Sequence, residues 1–114
     1  MVHELRIYTL KPGTVPGYLK ANGEIGRPVR GDKYGVLVGA WTTEIGTLNQ
    51  YVHLWSYESF EERERLRGEL AKNKDWGEYT AQIRPMMVRQ DNMLLTLDAE
   101  VGFRPVEGLS LIHI

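Results

Sequence analysis

The feature that most constrains the fold of this chain is a short segment that contains glycine. It lies between two segments that are rich in aromatic and β-branched residues. Residues 34–43 and 49–57 are rich in Val, Leu, Trp and Tyr, and residues 44–48 between them include Gly46. These residue types favour strands, and a short turn between them is typical of a β-hairpin. The pattern predicts a hairpin in the middle of the chain, with His53 and Trp55 on one face of its second strand.

The residues before the hairpin predict a strand and then a helix. Residues 2–10 alternate between polar and apolar side chains, as expected of a half-buried strand. Thr14 is expected to cap a helix that has Pro16 in its first turn and extends to about Val29. Glycines at three positions lower its intrinsic helix propensity, so packing must stabilise this helix.

The residues after the hairpin predict a second helical region and a last strand. Ser59 begins a capping box that opens a charged helix, and Asp75 is expected to cap a further helical segment that ends before Pro85. Residues 86–97 are expected to form the last strand. The resulting order, β-α-β-β-α-β, predicts an α+β ferredoxin-like domain over residues 2–97. Right-handed crossovers would place both helices on one face of the antiparallel sheet.

Composition excludes several classes of function. Lys and Arg number 14 against 15 Asp and Glu, so the net charge of −1 argues against nucleic acid as a partner. The chain has no cysteine, which excludes disulfides and thiol catalysis, and no apolar run long enough to span a membrane. No His, Asp or Glu spacing resembles a metal site. The sequence predicts a cytoplasmic protein without metal or cofactor. Its tail, residues 98–114, is expected either to contact a partner subunit or to be partly disordered.

The sheet face that the helices leave open is expected to decide the function. The predicted hairpin register pairs Trp41 with Tyr51, Gly39 with His53 and Leu37 with Trp55. The purely apolar residues would then pack against the helices, while these aromatic residues and His53 would share the open face. Arg6 and Tyr8 of the first strand would join them. Such a face predicts a dimer interface, a cavity lining, or both when two sheets pack together.

Each candidate residue allows a chemical and a structural interpretation. His53 has the ordinary pKa range of a general base, but a hydrogen-bonded interface histidine is the more common role. Trp41, Tyr51 and Trp55 offer stacking surfaces for a flat ligand, or simply buried aromatic area.

Polar candidates lie on the first strand and at the hairpin tip. Arg6 with Tyr8 is suited to anchor a carboxylate or to polarise a carbonyl, and equally to form an interfacial ion pair. Asn49 either contacts a ligand or ties the loop to its own backbone, the commoner role of such a residue.

Four segments of the sequence resemble one family. They are EIGxLNQxxHLW at residues 44–55, ELRxYTLKPG at 4–13, LVGxW at 37–41 and IRP at 83–85. Together they resemble the NIPSNAP family over about residues 2–95. The resemblance implies a dimeric α/β barrel, in which two ferredoxin-like subunits pack sheet against sheet as a homodimer.

The resemblance implies several functions rather than one reaction. Animal members of the family are linked to mitochondria and vesicle traffic, and the wider superfamily includes cofactor-free monooxygenases, haem-degrading enzymes and lactone isomerases. Three hypotheses follow: a homodimer with a small-molecule pocket around His53, a non-catalytic dimeric binding or scaffold module, and a cofactor-free monooxygenase-like or isomerase-like enzyme. The catalytic motifs of the superfamily do not map onto this sequence.

Overall fold

Within the part of the chain that the structure describes, four strands and two helical regions follow one another in the order that the sequence predicts. The structure is a computed structural model and describes residues 1–104. The strands are β1 (Val2–Leu10), β2 (Val36–Thr42), β3 (Gln50–Tyr57) and β4 (Met87–Thr96). The helices are α1 (Val15–Ala21), α2 (Arg27–Arg30), α3 (Phe60–Ala71) and α4 (Lys74–Ile83).

The strands form one antiparallel sheet in the order β2-β3-β1-β4. The first and third strands of the chain are central, and each β-α-β unit returns to an edge, which is the ferredoxin-like arrangement. The helices cover one face. Tyr18 of α1 contacts Tyr8 edge-on at 6.1 Å between ring centroids, and Arg63 of α3 reaches Glu4 of β1. The predicted α+β fold class is confirmed.

The sheet faces are the reverse of those predicted. The helix-covered face carries the polar and aromatic residues of the central strands, which are buried: Glu4, Arg6, Tyr8, Tyr51, His53 and Trp55. Leu5, Ile7, Val52 and Leu54 lie on the open face and are half-buried. The prediction was wrong because it placed the apolar side chains of the strands against the helices. The helices instead supply hydrogen-bond partners for the polar side chains, which lowers the free-energy cost of burying them.

The predicted hairpin register is correct at one end only. Leu37 pairs with Trp55 as expected, but a β-bulge between Leu37 and Gly39 shifts the pairing, so Ala40 rather than Gly39 lies opposite His53. The same shift pairs Trp41 with Val52 instead of Tyr51 and turns it to the open face. No empty volume lies at Gly39, because a Cβ there would lie 2.7 Å from the Trp41 ring.

The first helical region is divided in a way that the sequence did not predict. A π-helical turn, Asn22–Gly26, separates α1 from α2. The predicted cap at Ser59 is confirmed, since its Oγ accepts a hydrogen bond from the Glu62 amide at 3.0 Å. The predicted cap at Asp75 is wrong. Asn73 caps α4 by accepting from the Trp76 amide at 3.0 Å.

The part of the tail that the structure describes turns back at the open face. The amides of Val101 and Gly102 donate to the Asp98 carbonyl, and residues of this turn share a cavity with His3 and Leu54. The rest of the predicted tail, residues 105–114, lies outside the described residues. In the described part of the chain, no helix has the length and apolar character needed to cross a membrane.

Candidate functional site

The helix-covered face of the sheet is built around a fully buried carboxylate, Glu4. It accepts hydrogen bonds from Arg6 at 3.0 Å, from Arg63 at 2.9 and 3.2 Å, and from Asn92 at 2.9 Å. Burial alone would raise the pKa of Glu4, but the hydrogen bond from Arg63 and the charges of Arg6 and Arg63 outweigh it, and the pKa is lowered. Glu4 therefore neutralises Arg6 and fixes the guanidinium against the Tyr8 hydroxyl at 3.1 Å.

His53 is buried in the middle of this face with a defined tautomer. Its Nδ1 accepts a hydrogen bond from the Trp55 indole N–H at 2.8 Å. Because indole is a donor only, the neutral ring must carry its hydrogen on Nε2, which has no partner among the described residues. Burial, and next the positive charges of Arg6 and Arg30, lower the pKa of His53 to about 3. This geometry favours a neutral hydrogen-bond donor over a general base.

The π-helical turn brings an amide side chain to the same interior. Asn22 donates from Nδ2 to the Tyr51 hydroxyl at 3.3 Å and accepts at Oδ1 from the Tyr79 hydroxyl at 3.1 Å. The glycine that ends this turn, Gly26, is needed there because a Cβ would lie 2.7 Å from the Tyr79 ring. A small space of about 40 Å³, the inner cavity, lies between this network and His53. It has room for one or two water molecules.

Arg30, at the end of α2, is a buried cation without a carboxylate partner among the described residues. Its side chain stacks over the Trp55 ring at 3.5 Å and donates to the Tyr57 hydroxyl at 2.9 Å and the Tyr34 carbonyl at 3.3 Å. Its Nε is buried and has no hydrogen-bond partner within residues 1–104. Burial is the main reason that the pKa of Arg30 is lowered to about 10, and the charges of Arg67 and Arg6 act in the same direction.

A larger cavity adjoins the inner one and opens to solvent. Its volume is about 330 Å³, and we call it the arginine cavity after the four arginines that line it: Arg6, Arg30, Arg67 and Arg84. Its other walls are mostly apolar: Tyr8, Leu70, Trp76, Thr80, Ile83, Met87 and Gln90. No carboxylate of the described residues lines it. Five residues line both cavities: Tyr8, Arg30, Trp76, Thr80 and Ile83.

The family of the chain follows from its match to a family model. The NIPSNAP model matches residues 3–99. The chain belongs to the NIPSNAP family. Curated relatives include a NipSnap homolog of Dictyostelium discoideum, 42% identical over 81 residues, and human NipSnap homolog 3A, 38% identical over 77 residues. These matches cover 71% and 67% of this chain but 35% and 30% of the relatives, so the chain spans about a third of their length.

Solved structures of NIPSNAP proteins have the same fold as this NIPSNAP chain. A NIPSNAP-like domain protein from Burkholderia xenovorans superposes with a TM-score of 0.83 at 36% identity, covering 92% of this chain and 89% of that one. A NIPSNAP family protein of unknown function from Agrobacterium tumefaciens gives 0.80 at 33% identity, covering 83% and 86%. A putative antibiotic biosynthesis monooxygenase from Nitrosomonas europaea gives 0.64, covering 84% and 97%, but at 7% identity this likeness concerns the fold alone.

The NIPSNAP chain brings most, but not all, of the sequence-predicted residues together. Tyr8, Tyr51, His53 and Trp55 line the inner cavity, and Arg6 and Tyr8 line the arginine cavity. Trp41 does not join them, since it lies on the open face and is 55% exposed. Asn49 lies at the hairpin end with φ of 64°, a backbone conformation that asparagine adopts more readily than most residues.

Sequence reasoning missed the cationic part of the site. Arg30, Arg67 and Arg84 come from α2, α3 and the 3₁₀ turn after α4, and no spacing in the sequence connects them. Arg84 follows Ile83 in one of the segments that resemble the family, and that position was the one sequence signal for any of these three arginines.

Proposed function

We propose that this NIPSNAP domain is a homodimeric small-molecule-binding module whose ligand enters the arginine cavity. The observation that carries the proposal is Arg30, a buried arginine that faces a cavity and lacks an acidic partner among the described residues. Burying a charge without compensation is costly, so a structure that keeps one beside open space favours a ligand that supplies the compensation.

The cavity has the size and composition of a ligand site. Ligand pockets usually have volumes from about 300 Å³ upward and combine apolar walls with a few polar groups. Here the buried floor is formed by Arg6, Tyr8 and Arg30, and the rim by the exposed residues Arg84 and Gln90. A small molecule can therefore reach the floor from solvent. The inner cavity, at about 40 Å³, is too small for such a molecule and extends the site only toward His53.

The open face of the sheet supports the dimeric part of the proposal. Its central residues Leu5, Ile7, Val52 and Leu54 are apolar, and Trp41 at the edge is 55% exposed. A second copy of the sheet would bury this surface, which a soluble domain seldom leaves exposed. The ligand site would then lie on the other side of the sheet from the partner subunit.

Binding is favoured over acid–base catalysis at His53. A general base must accept a proton, and the Nδ1 lone pair of His53 is occupied by Trp55 while Nε2 carries the hydrogen. The unpartnered Nε2–H is suited to hold a water molecule or a ligand atom. The monooxygenase-like and isomerase-like hypotheses have no further support in the site, since the monooxygenase likeness concerns the fold alone.

Native mass spectrometry of the purified protein tests the proposal. The wild type should appear as a dimer with a small co-purified mass. Thr80 lines both cavities, so Thr80→Phe should fill the site and remove the added mass, whereas the near-isosteric Thr80→Val should keep it. A wild-type protein without any added mass, or a Thr80→Phe variant that retains it fully, would contradict binding in this cavity. A monomer would contradict the dimer.

A further inference from the structure

We infer that the arginine cavity selects a small organic anion, a molecule with one carboxylate or phosphate group and an apolar body. The inference rests on the proposed function, because it names the class of ligand that the cavity would take. The anionic group would lie against Arg30 on the floor, and the apolar body would extend along Trp76 and Ile83 toward the rim.

Most of the positive charge in the cavity is not neutralised by the residues that the structure describes. Arg6 has its charge balanced by Glu4 at 3.0 Å. Arg30, Arg67 and Arg84 have no carboxylate within ion-pair distance in residues 1–104. Three arginines from three separate elements thus line one cavity without a carboxylate partner among the described residues, and the charge of Arg67 disfavours that of Arg30. An anion at this point would relieve that repulsion.

Arg30 provides the positive charge that a bound anion would balance. It is 3% exposed, and its Nε–H is buried without a hydrogen-bond partner among the described residues. Its stacking on Trp55 and its bond to Tyr57 fix the guanidinium plane before any ligand arrives. A planar, fixed guanidinium matches carboxylate and phosphate oxygens, and little side-chain entropy remains to be lost on binding.

The remaining walls indicate that the anion is organic rather than inorganic. Leu70, Trp76, Ile83 and Met87 form an apolar surface beside the arginines. Trp76 lies within reach of Arg30, with 5.6 Å between the guanidinium carbon and the ring centroid, so a flat ligand body can contact the indole while its anionic end meets the cation. An inorganic ion would leave this apolar surface exposed to water.

Isothermal titration calorimetry with three matched probes tests the inference. Benzoate and phenyl phosphate carry the two anionic groups on the same apolar body, and benzamide is the neutral analogue of benzoate. At least one of the anions should bind about tenfold or more tightly than benzamide, as expected of charge-assisted hydrogen bonds to arginine. Comparison of the two anions identifies whether a carboxylate or a phosphate is preferred.

Variants at the rim and on the same helix show where the anion binds. Arg67→Gln and Arg84→Gln should each weaken binding of the preferred anion by roughly three- to tenfold. Arg65→Gln is the matched control. It removes the same charge two residues from Arg67, but Arg65 pairs with Glu62 and does not line the cavity. This variant should bind the anion with wild-type affinity. Arg30→Lys, checked for folding by circular dichroism, should weaken binding by about tenfold or more.

The outcomes separate this inference from the proposed function. Weaker anion binding in Arg67→Gln and Arg84→Gln, with Arg65→Gln unchanged, supports the inference. Equal affinity for benzoate and benzamide, both lost in Thr80→Phe, would overturn the anion selectivity and leave the binding site in place. Equal weakening by Arg65→Gln would overturn it too, because the effect would then reflect net charge. If none of the probes binds and native mass spectrometry shows no added mass, both proposals fail.

Discussion

Acidification should destabilise this domain through His53 at a pH well above that of carboxylate titration. The pKa of His53 is lowered to about 3, against 6.5 for an unperturbed histidine. Between these two values the unfolded chain binds a proton that the folded protein does not. Stability therefore rises with pH across this window, and it falls as the pH decreases from 6.5 toward 3.

The size of the effect follows from the two pKa values. The free energy of unfolding should be about 2 kcal/mol lower at pH 5 than at pH 7.5, because each pH unit below 6.5 removes about 1.4 kcal/mol. Glu4 acts in the same direction, since its pKa is lowered, but its contribution is lost only below the ordinary value of 4.5. The range from pH 7.5 to pH 5 thus isolates the histidine from this buried carboxylate.

The assay compares the wild type with His53→Asn by urea unfolding, followed by tryptophan fluorescence at several pH values and one protein concentration. Asparagine keeps an acceptor for the Trp55 indole N–H but does not titrate, so the variant should be less stable at pH 7.5 and should change less with pH. The difference in unfolding free energy between the two proteins should shrink by about 2 kcal/mol from pH 7.5 to pH 5. Parallel pH profiles would refute this account of His53.

Three further substitutions test the packing. Ile7→Asp places a charge in the centre of the open face and should give a folded monomer by size-exclusion chromatography with light scattering, whereas Ile7→Val should remain a dimer. Glu4→Gln should lower the unfolding free energy by about 3 kcal/mol in urea, because it leaves buried guanidinium charge unpaired. Gly35→Ala should cost about 2 kcal/mol, since φ is 105° and a Cβ would lie 2.5 Å from the Tyr57 ring, whereas Gly68→Ala in α3 should be neutral or slightly stabilising.

The elements of the fold were predictable because their signals are local. The alternation in residues 2–10, the turn after Thr43 and the cap at Ser59 each depend on neighbouring residues, and each predicts what the structure contains. The order of these elements then limits the topology to very few arrangements. The β-bulge after Leu37 has no comparable signal, and it places Trp41 on the sheet face opposite to that of His53.

The faces of the sheet were not predictable from alternation. A period of two shows that β1 has two faces but not which one the helices cover. Hydrophobicity favoured Leu5 and Ile7 for the interior, yet the interior holds Glu4 and Arg6 because Arg63 of α3, 59 residues away, completes their ion-pair cluster. That contact depends on tertiary structure.

The cluster of arginines could not be predicted from the sequence for the same reason. Arg30, Arg67 and Arg84 meet only once α2, α3 and the end of α4 have packed on the sheet. Composition does not predict that they lack acidic partners within the described chain, because the chain as a whole has a net charge of −1. Which charges lie next to each other depends on the folded structure.

A crystal structure of the protein with phenyl phosphate tests the central claim most directly, because it shows where the ligand lies. The account predicts that the phosphate group lies within hydrogen-bonding distance of Arg30, with the phenyl ring against Trp76 and the helix-covered side of the sheet around it. A phenyl phosphate molecule bound on the open face of the sheet, with the arginine cavity holding water alone, would contradict it.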